Sequence, residues 1–103
     1  MDIDELTVKT FRKLGFKPLK TKPANANGPD LFVIKNDRAF SVEIKPTRKT
    51  RRGSLQVPPV EKNRRGDDLI AIVLPSGYVL VEPMRDHLKS CTPKGYRTLT
   101  ELA

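Results

Sequence analysis

The chain has 103 residues, a formal net charge of +8 at pH 7 and a sequence pI near 9.9. Its 37% apolar and 31% charged residues exclude a disordered chain and favour one domain over 1–103, with a core over about 1–83 and a C-terminal helix and tail over 84–103. No apolar run approaches the roughly 20 residues that cross a bilayer, and the acidic start is unlike a signal peptide. We therefore expect a cytoplasmic protein without a membrane partner, either nucleoid-associated or, if phage-encoded, in the host cytoplasm. Its positive charge predicts a polyanionic partner, of which nucleic acid is the commonest.

A helix is predicted over 2–14, because apolar residues recur there at about 100° per residue. The apolar stripe consists of Ile3, Leu6, Phe11 and Leu14. Gly15 can end this helix, and 16–19 follows as a short edge strand in spite of Pro18. The segment 20–29 contains two prolines, a glycine and two asparagines, which predict a loop.

The central prediction is an antiparallel hairpin with acidic residues at one end. Two apolar runs, 31–34 and 39–44, flank a short polar turn and are predicted to pair as strands. Side chains alternate along a strand, so Glu43 and Lys45 share one face of the second run. Asp30 stands at the start of the first run, close to that pair. Two acids and a lysine at a sheet end predict a divalent-metal site beside a cation.

The segment 45–65 is strongly basic, with eight Lys or Arg and a single acid. It begins as a connector without periodicity, and Pro58 and Pro59 limit any helix to a short one that ends at Asn63 or Arg64. A basic connector that leaves such a strand is well placed to hold phosphates. Its candidate nucleic-acid-binding residues are Arg48, Lys49, Arg51, Arg52, Lys62, Arg64 and Arg65.

The last third of the chain predicts a second hairpin followed by a helix. The continuous apolar run 69–74 favours a strand buried on both faces, and 78–82 would pair with it. Asp67 and Asp68 are a rival acid pair, which we interpret as salt-bridging or turn residues. A short helix is predicted over 84–90, and the tail after it could pack on the core or on a second subunit. The tail residues with weak helical spacing are Tyr96, Leu99 and Leu102.

Pro29-Asp30, twelve residues and then Glu43-Ile44-Lys45 resemble the signature of the PD-(D/E)XK nuclease superfamily, over roughly 1–83. The compact Holliday-junction-resolvase-like and VRR-NUC-like branches are the most similar. The resemblance implies a restriction-endonuclease-like fold of the α/β (α+β) class, in which helices flank a central mixed β-sheet. It also implies Mg²⁺ (or Mn²⁺) bound by Asp30, Glu43 and the backbone carbonyl of Ile44, with Lys45 as the third catalytic residue.

The resemblance extends to supporting residues and to assembly. Some relatives carry an acid on the first helix that reaches the metal, for which Asp4 and Glu5 are the candidates; favourable interaction with the helix dipole is the simpler interpretation of both. Gln56 is a possible supporting polar residue, because some relatives have a glutamine after the lysine strand. Compact junction resolvases act as homodimers, so a homodimer is implied here as well.

The function expected from these features is metal-dependent endonuclease action on DNA. We see no segment that would read base edges in the major groove, so we expect recognition of DNA shape or branching, as in a junction, and no restriction-type enzyme. No small-molecule cofactor is expected. A non-catalytic DNA-binding module with the same fold is the main alternative, and a basic subunit that docks on an acidic protein is a weaker one. Cys91, four residues from His87, is expected to be an inert thiol.

Overall fold

The structure is a computed structural model that describes residues 2–19 and 29–100, so most of the predicted loop 20–29 lies outside the described residues. Its elements are α1 (Ile3–Lys13), β1 (Lys17–Leu19), β2 (Leu31–Lys35), β3 (Arg38–Pro46), β4 (Arg48–Lys49), β5 (Leu55–Val57), a 3₁₀ turn (Lys62–Arg64), β6 (Leu69–Val73), β7 (Val79–Pro83), α2 (Met84–Lys89) and β8 (Arg97–Leu99). A five-stranded mixed sheet has the order β1-β2-β3-β6-β7, and β4, β5 and β8 form a second, three-stranded sheet.

Helix α1 buries a narrower face than its apolar stripe predicts. Thr7 and Phe11 are fully buried, whereas Ile3 and Leu14, at the two ends of the predicted stripe, are 39% and 46% exposed. The Thr7 hydroxyl donates a hydrogen bond to the Ile3 carbonyl at 2.7 Å, which allows this polar residue to lie in the core. The Phe11 ring packs edge-on against Phe16 at a centroid distance of 5.3 Å. The helix therefore rests on its middle turns.

Strands β2 and β3 form the predicted hairpin. Asn36 and Asp37 occupy the two-residue turn with φ of 52° and 62°, a conformation that these residue types tolerate and that suits the twist of paired strands. The register places Leu31 opposite Val42 and Lys35 opposite Arg38. That register fixes which side chains meet at the open end of the hairpin.

Strand β6 lies parallel to β3 at the centre of the sheet and is covered on both faces, as predicted. Val42 lies opposite Leu69, and Lys45 lies opposite Ile72. On one face, Ala71 and Val73 pack with Val42 in a cluster beneath α1. The side chains that pack on the other face are Val57, Val60, Ile70, Ile72 and Met84. Helix α1 thus covers one face of the central sheet, and α2 and the second sheet cover the other.

The second sheet corrects two predictions. The basic connector is a hairpin, because β4 pairs with β5 and places Arg48 opposite Gln56. The tail contributes a strand in place of a helix, because β8 pairs with β5 and places Thr98 opposite Gln56. Neither pairing follows from local pattern, since both depend on partners supplied by the rest of the fold.

The remaining elements match the predicted order. A mixed sheet with flanking helices confirms the predicted fold class, and α2 and the 3₁₀ turn lie where short helices were expected. The tail packs on the core through β8, with Leu99 against the cluster that contains Met84. Within residues 2–19 and 29–100, no helix combines the length and the apolar character that a membrane crossing requires.

Candidate active site

Strand pairing brings the two acids of the signature together. Leu31 lies opposite Val42 in the antiparallel pair. Continuing this register by one residue places Asp30 opposite Glu43. One Asp30 carboxylate oxygen accepts a hydrogen bond from the Ile44 backbone N–H at 2.9 Å, which fixes its carboxylate against β3. The sheet therefore holds both acids on rigid elements.

The surroundings of Glu43 disfavour the charged form of its carboxyl group. Glu43 is only 7% exposed, and its pKa is raised from 4.5 to about 8, with burial as the largest cause. A side-chain hydrogen bond with Asp30 and the negative charge of Asp30 contribute to this rise, whereas the positive charge of Lys45 opposes it. The three signature residues therefore influence one another directly, as groups of one site do.

Asp67 joins this group, although sequence reasoning gave it a turn or salt-bridge role. Its charge contributes to the raised pKa of Glu43, and its own pKa is raised by burial, with Arg64 opposing. Its Oδ2 atom is buried and has no hydrogen-bond partner among the described residues. Asp67 lies near Glu43 because β6, which follows it, pairs in parallel with β3. Local sequence patterns do not reveal this pairing.

Asp68 has a structural role beside the site. Its carboxylate accepts a hydrogen bond from the Ser41 backbone N–H at 2.9 Å, and its own N–H donates to the Ser41 hydroxyl at 3.0 Å. These bonds tie the start of β6 to β3. Among the described residues neither Asp67 nor Asp68 forms a salt bridge within 4 Å, which corrects the predicted salt-bridging role.

The candidate supporting residues lie in different places. Helix α1, which carries Asp4 and Glu5, packs on the face of the sheet opposite to Glu43, where both acids line a cavity of about 410 Å³. Gln56 lies in the second sheet, where its Oε1 accepts a hydrogen bond from Arg48 Nε at 3.0 Å. A supporting role for these three residues stays a prediction.

The basic residues predicted to bind nucleic acid divide into two groups. Six of them are exposed on the β4–β5 hairpin or around the 3₁₀ turn: Arg48, Lys49, Arg51, Arg52, Lys62 and Arg65. Arg64 differs, because it is only 8% exposed and its charge lowers the pKa of Asp67. Arg64 thus faces the acid group, and its contact with phosphate stays a prediction.

A basic cleft adds three cations that the sequence analysis did not single out, Arg38, Arg85 and Lys89, to Arg65, which it did. It has a volume of about 740 Å³ and lies beside the turn that carries Asp67 and Asp68. Its basic lining residues are Arg38, Arg65, Arg85 and Lys89. Arg38 also stacks over the Phe40 ring, at 4.9 Å from the ring centroid. Arg38, Arg65 and the pair on α2 come from three separate parts of the chain, so no single charge run predicts the cleft.

The donor set for a divalent metal consists of hard oxygen atoms. Asp30 and Glu43 supply carboxylates, the ligand type that Mg²⁺ prefers. Burial and the neighbouring Asp30 raise the pKa of Glu43 to about 8, so a nearby cation would be favourable. Within the described residues, no three or more His, Cys, Asp or Glu side chains are grouped closely enough to hold a metal ion. A metal here would therefore rest on two carboxylates, backbone oxygen and water.

Comparison with known proteins identifies a solved structure with a similar fold. No family model and no curated protein sequence matches the chain. Among solved structures, the chain is similar to a bacterial homing endonuclease, I-Ssp6803I, with a TM-score of 0.79 and 17% sequence identity. The similarity covers 98% of this chain and 72% of that chain. At this identity the likeness defines the fold, which is a nuclease-like α/β architecture with a central mixed sheet.

Proposed function

We propose that this protein is a metal-dependent endonuclease of the PD-(D/E)XK type that hydrolyses phosphodiester bonds in DNA. The observation that carries the proposal is the electrostatic coupling of Asp30, Glu43 and Lys45 at one end of the β2–β3 hairpin. Exposed cations beside this group and a similar fold in a homing endonuclease support the same conclusion. Perturbed acids beside a specific cation are typical of catalytic sites.

Asp30 and Glu43, with the Ile44 carbonyl, are the residues that would hold Mg²⁺ or Mn²⁺. When bound, such an ion lowers the pKa of a water molecule and neutralises charge on the phosphate. The protein's own contribution is to fix the two carboxylates. The Ile44 N–H bond holds Asp30, and the side-chain hydrogen bond with Asp30 holds Glu43.

Lys45 is the residue that would act on the attacking water and on the phosphate. It shares a face with Glu43, two residues further along β3, and its ammonium carries up to three hydrogen-bond donors. Held there, the ammonium would orient the water and stabilise the charge that develops on the phosphoryl oxygens. Water then adds to phosphorus, one bridging P–O bond breaks, and the leaving oxygen takes up a proton.

A non-catalytic DNA-binding module remains the second candidate. The observation in its favour is that no three or more potential metal-ligand side chains are grouped together among the described residues. The proximity of Asp30 and Glu43 argues for catalysis, because two acids that repel each other and DNA do not improve a DNA-binding surface.

Lys45→Ala tests the proposal. With Mg²⁺ or Mn²⁺, wild type should cut linear duplex, flap or four-way junction DNA, and EDTA should stop the cutting. Lys45→Ala should cut about 10²–10³-fold more slowly, because a transition-state donor is lost, and should bind DNA nearly as well. Lys94→Ala, an exposed lysine near β8, is the matched control and should behave as wild type. Faster cutting of the junction would support selectivity for branched DNA.

Two results would contradict the nuclease proposal. If wild type binds DNA but cuts it with neither metal, the non-catalytic module is the better description. If Lys45→Ala cuts at the wild-type rate, the assigned site is wrong.

Light scattering of the DNA complex tests the proposed homodimer, which the cutting of two strands favours.

Arg85→Gln should weaken DNA binding without changing its selectivity. Arg85 and Lys89 are exposed, lie one turn apart on α2 and line the basic cleft, so we propose that they contact phosphates. Loss of one phosphate contact should reduce the slope of log affinity against log salt by about 1. Fluorescence anisotropy over a salt series measures this slope, and Lys94→Gln is the control. An unchanged slope would exclude Arg85 from the DNA surface.

A further inference from the structure

The β4–β5 hairpin is an exposed basic ribbon directly beside the candidate active site. Arg51 and Arg52 form its tip, and Gly53 closes the turn with φ of 82° and an N–H bond to the Thr50 carbonyl at 3.0 Å. The Thr50 N–H donates to the Ser54 carbonyl at 2.8 Å, which extends the pairing beyond β4. The ribbon is therefore ordered up to its charged tip.

The two faces of this ribbon differ in chemistry. In one row Lys49 lies opposite Leu55, and Leu55 is buried against the core. In the alternate row Arg48, Gln56 and Thr98 lie side by side across three strands, and all three are polar. Because alternate residues point to opposite faces, this polar row lies on the side of the second sheet away from the core.

Arg48 is held in place by two neighbours. Its Nε donates to Gln56 Oε1 at 3.0 Å, and its guanidinium lies over the Tyr96 ring at 5.6 Å from the centroid. Binding through Nε leaves the two terminal NH₂ groups available for a second, bidentate partner. Gln56 keeps its amide N–H donors and one lone pair on Oε1. The pair is thus pre-organised, in contrast to the arginines at the tip.

We propose that the β4–β5 hairpin enters the major groove of duplex DNA and that Arg48 and Gln56 read base edges there. The major groove admits a two-stranded ribbon, Arg pairs bidentately with guanine, and Gln does so with adenine. The occupant is therefore a duplex with adjacent purines at a fixed position. Arg51 and Arg52, on the tip, would contact phosphates on either side. This inference rests on the proposed function and adds sequence selectivity to it.

The distance between Arg48 and Lys45 along the chain limits how far the bases that are read can lie from the bond that is cut. Thr47 anchors the start of the ribbon, since its N–H donates to the Val73 carbonyl at 3.0 Å. Arg48 follows Lys45 by three residues, which span at most about 10 Å. That length corresponds to about three base pairs. The preferred bases should therefore lie within a few base pairs of the scissile phosphate.

Selection from a randomised duplex library tests the inference by binding alone. Wild type is incubated with the library in EDTA, and bound duplexes are recovered and sequenced. We expect an enriched motif with adjacent purines. Arg48→Ala and Arg48→Lys should lose the preference at one of these positions by about 10- to 100-fold, since Lys lacks the bidentate fork. Gln56→Ala should lose the neighbouring position, and Arg51→Ala should weaken binding to all sequences alike.

The outcomes separate this inference from the nuclease proposal. An enriched motif that depends on Arg48 supports base reading even if the protein cuts nothing in Mg²⁺. Base reading would be overturned if no position of the library is enriched. It would also be overturned if the Arg48→Lys protein, unfolding at the same temperature as wild type, selects an unchanged motif. Cutting that depends on Lys45 would then still support the nuclease.

Discussion

Glu43→Gln should abolish DNA cleavage and at the same time stabilise the protein at alkaline pH. The substitution keeps the shape of the side chain and removes a charge that burial and Asp30 both oppose. We expect cleavage to fall by about 10²–10³-fold, as for loss of a key electrostatic group. The free energy of unfolding should rise, because wild type retains a strained acid for function.

The pH dependence of this effect has a definite sign. The pKa of Glu43 is raised to about 8 in the folded state, above 4.5, so the folded state binds its proton more tightly than the unfolded state does. Its contribution to wild-type stability is therefore complete below pH 4.5 and is lost as the pH rises to about 8. The raised pKa of Asp67 acts in the same direction.

Denaturant unfolding of both proteins at several pH values measures this effect. The advantage of Glu43→Gln should be absent near pH 4.5 and reach about 1–3 kcal/mol at pH 8, less than the full 1.36 kcal/mol per pKa unit because the site is not sealed from water. Glu61→Gln, on an exposed residue, is the control and should show no such trend. A stability difference that does not grow with pH would contradict the strained-acid description.

Arg97→Ala should be among the most destabilising single substitutions in the chain. Arg97 on β8 donates to both carboxylate oxygens of Glu82 on β7 and, at 3.2 Å, to Nδ1 of the fully buried His87 on α2. Arginine cannot accept a hydrogen bond, so His87 is neutral with its proton on Nε2, 3.5 Å from Cys91 Sγ. The network joins three elements on one side of the central sheet.

Removal of Arg97 leaves Glu82 and His87 without their donor. We expect a loss of about 3 kcal/mol, the cost of breaking a largely buried pair, and weaker attachment of β8 to the hairpin that carries Arg48. Urea unfolding measures the loss. The paired variant Arg97→Met with Glu82→Gln is the control and should cost less, because no charge is left alone. Equal losses in the two variants would show that packing, and not the ion pair, accounts for the effect.

The same network should make wild type sensitive to mild acid. Burial and the charge of Arg97 lower the pKa of His87 below 6.5, so the unfolded state takes up the proton first as the pH falls. Stability from this group is complete above pH 6.5 and declines below it. Cys91 stays a thiol in this environment, since burial raises its pKa and its Sγ donates to the His87 carbonyl at 3.3 Å.

Local patterns along the chain determined most of the central sheet. Alternation and turn residues located the β2–β3 hairpin, and the continuous apolar run located β6. The positions of Asp30 and Glu43 followed from the same pattern, because two strands joined by a tight turn have one register. Helical periodicity located α1 but overestimated its buried face, since the extent of burial depends on what the helix packs against.

Which distant segments meet depends on the packing of the whole chain. Parallel pairing of β3 with β6 brings Asp67 to the acid pair, and pairing of β5 with β8 converts a basic connector and a tail into a second sheet. Such pairings are fixed by partners far along the chain, and short strands carry too little local preference to reveal them. Local patterns therefore predicted Asp30, Glu43 and Lys45 as a candidate site, together with the hairpin that holds them. The third acid, the basic cleft and the ribbon of Arg48 and Gln56 depend on how that hairpin is surrounded.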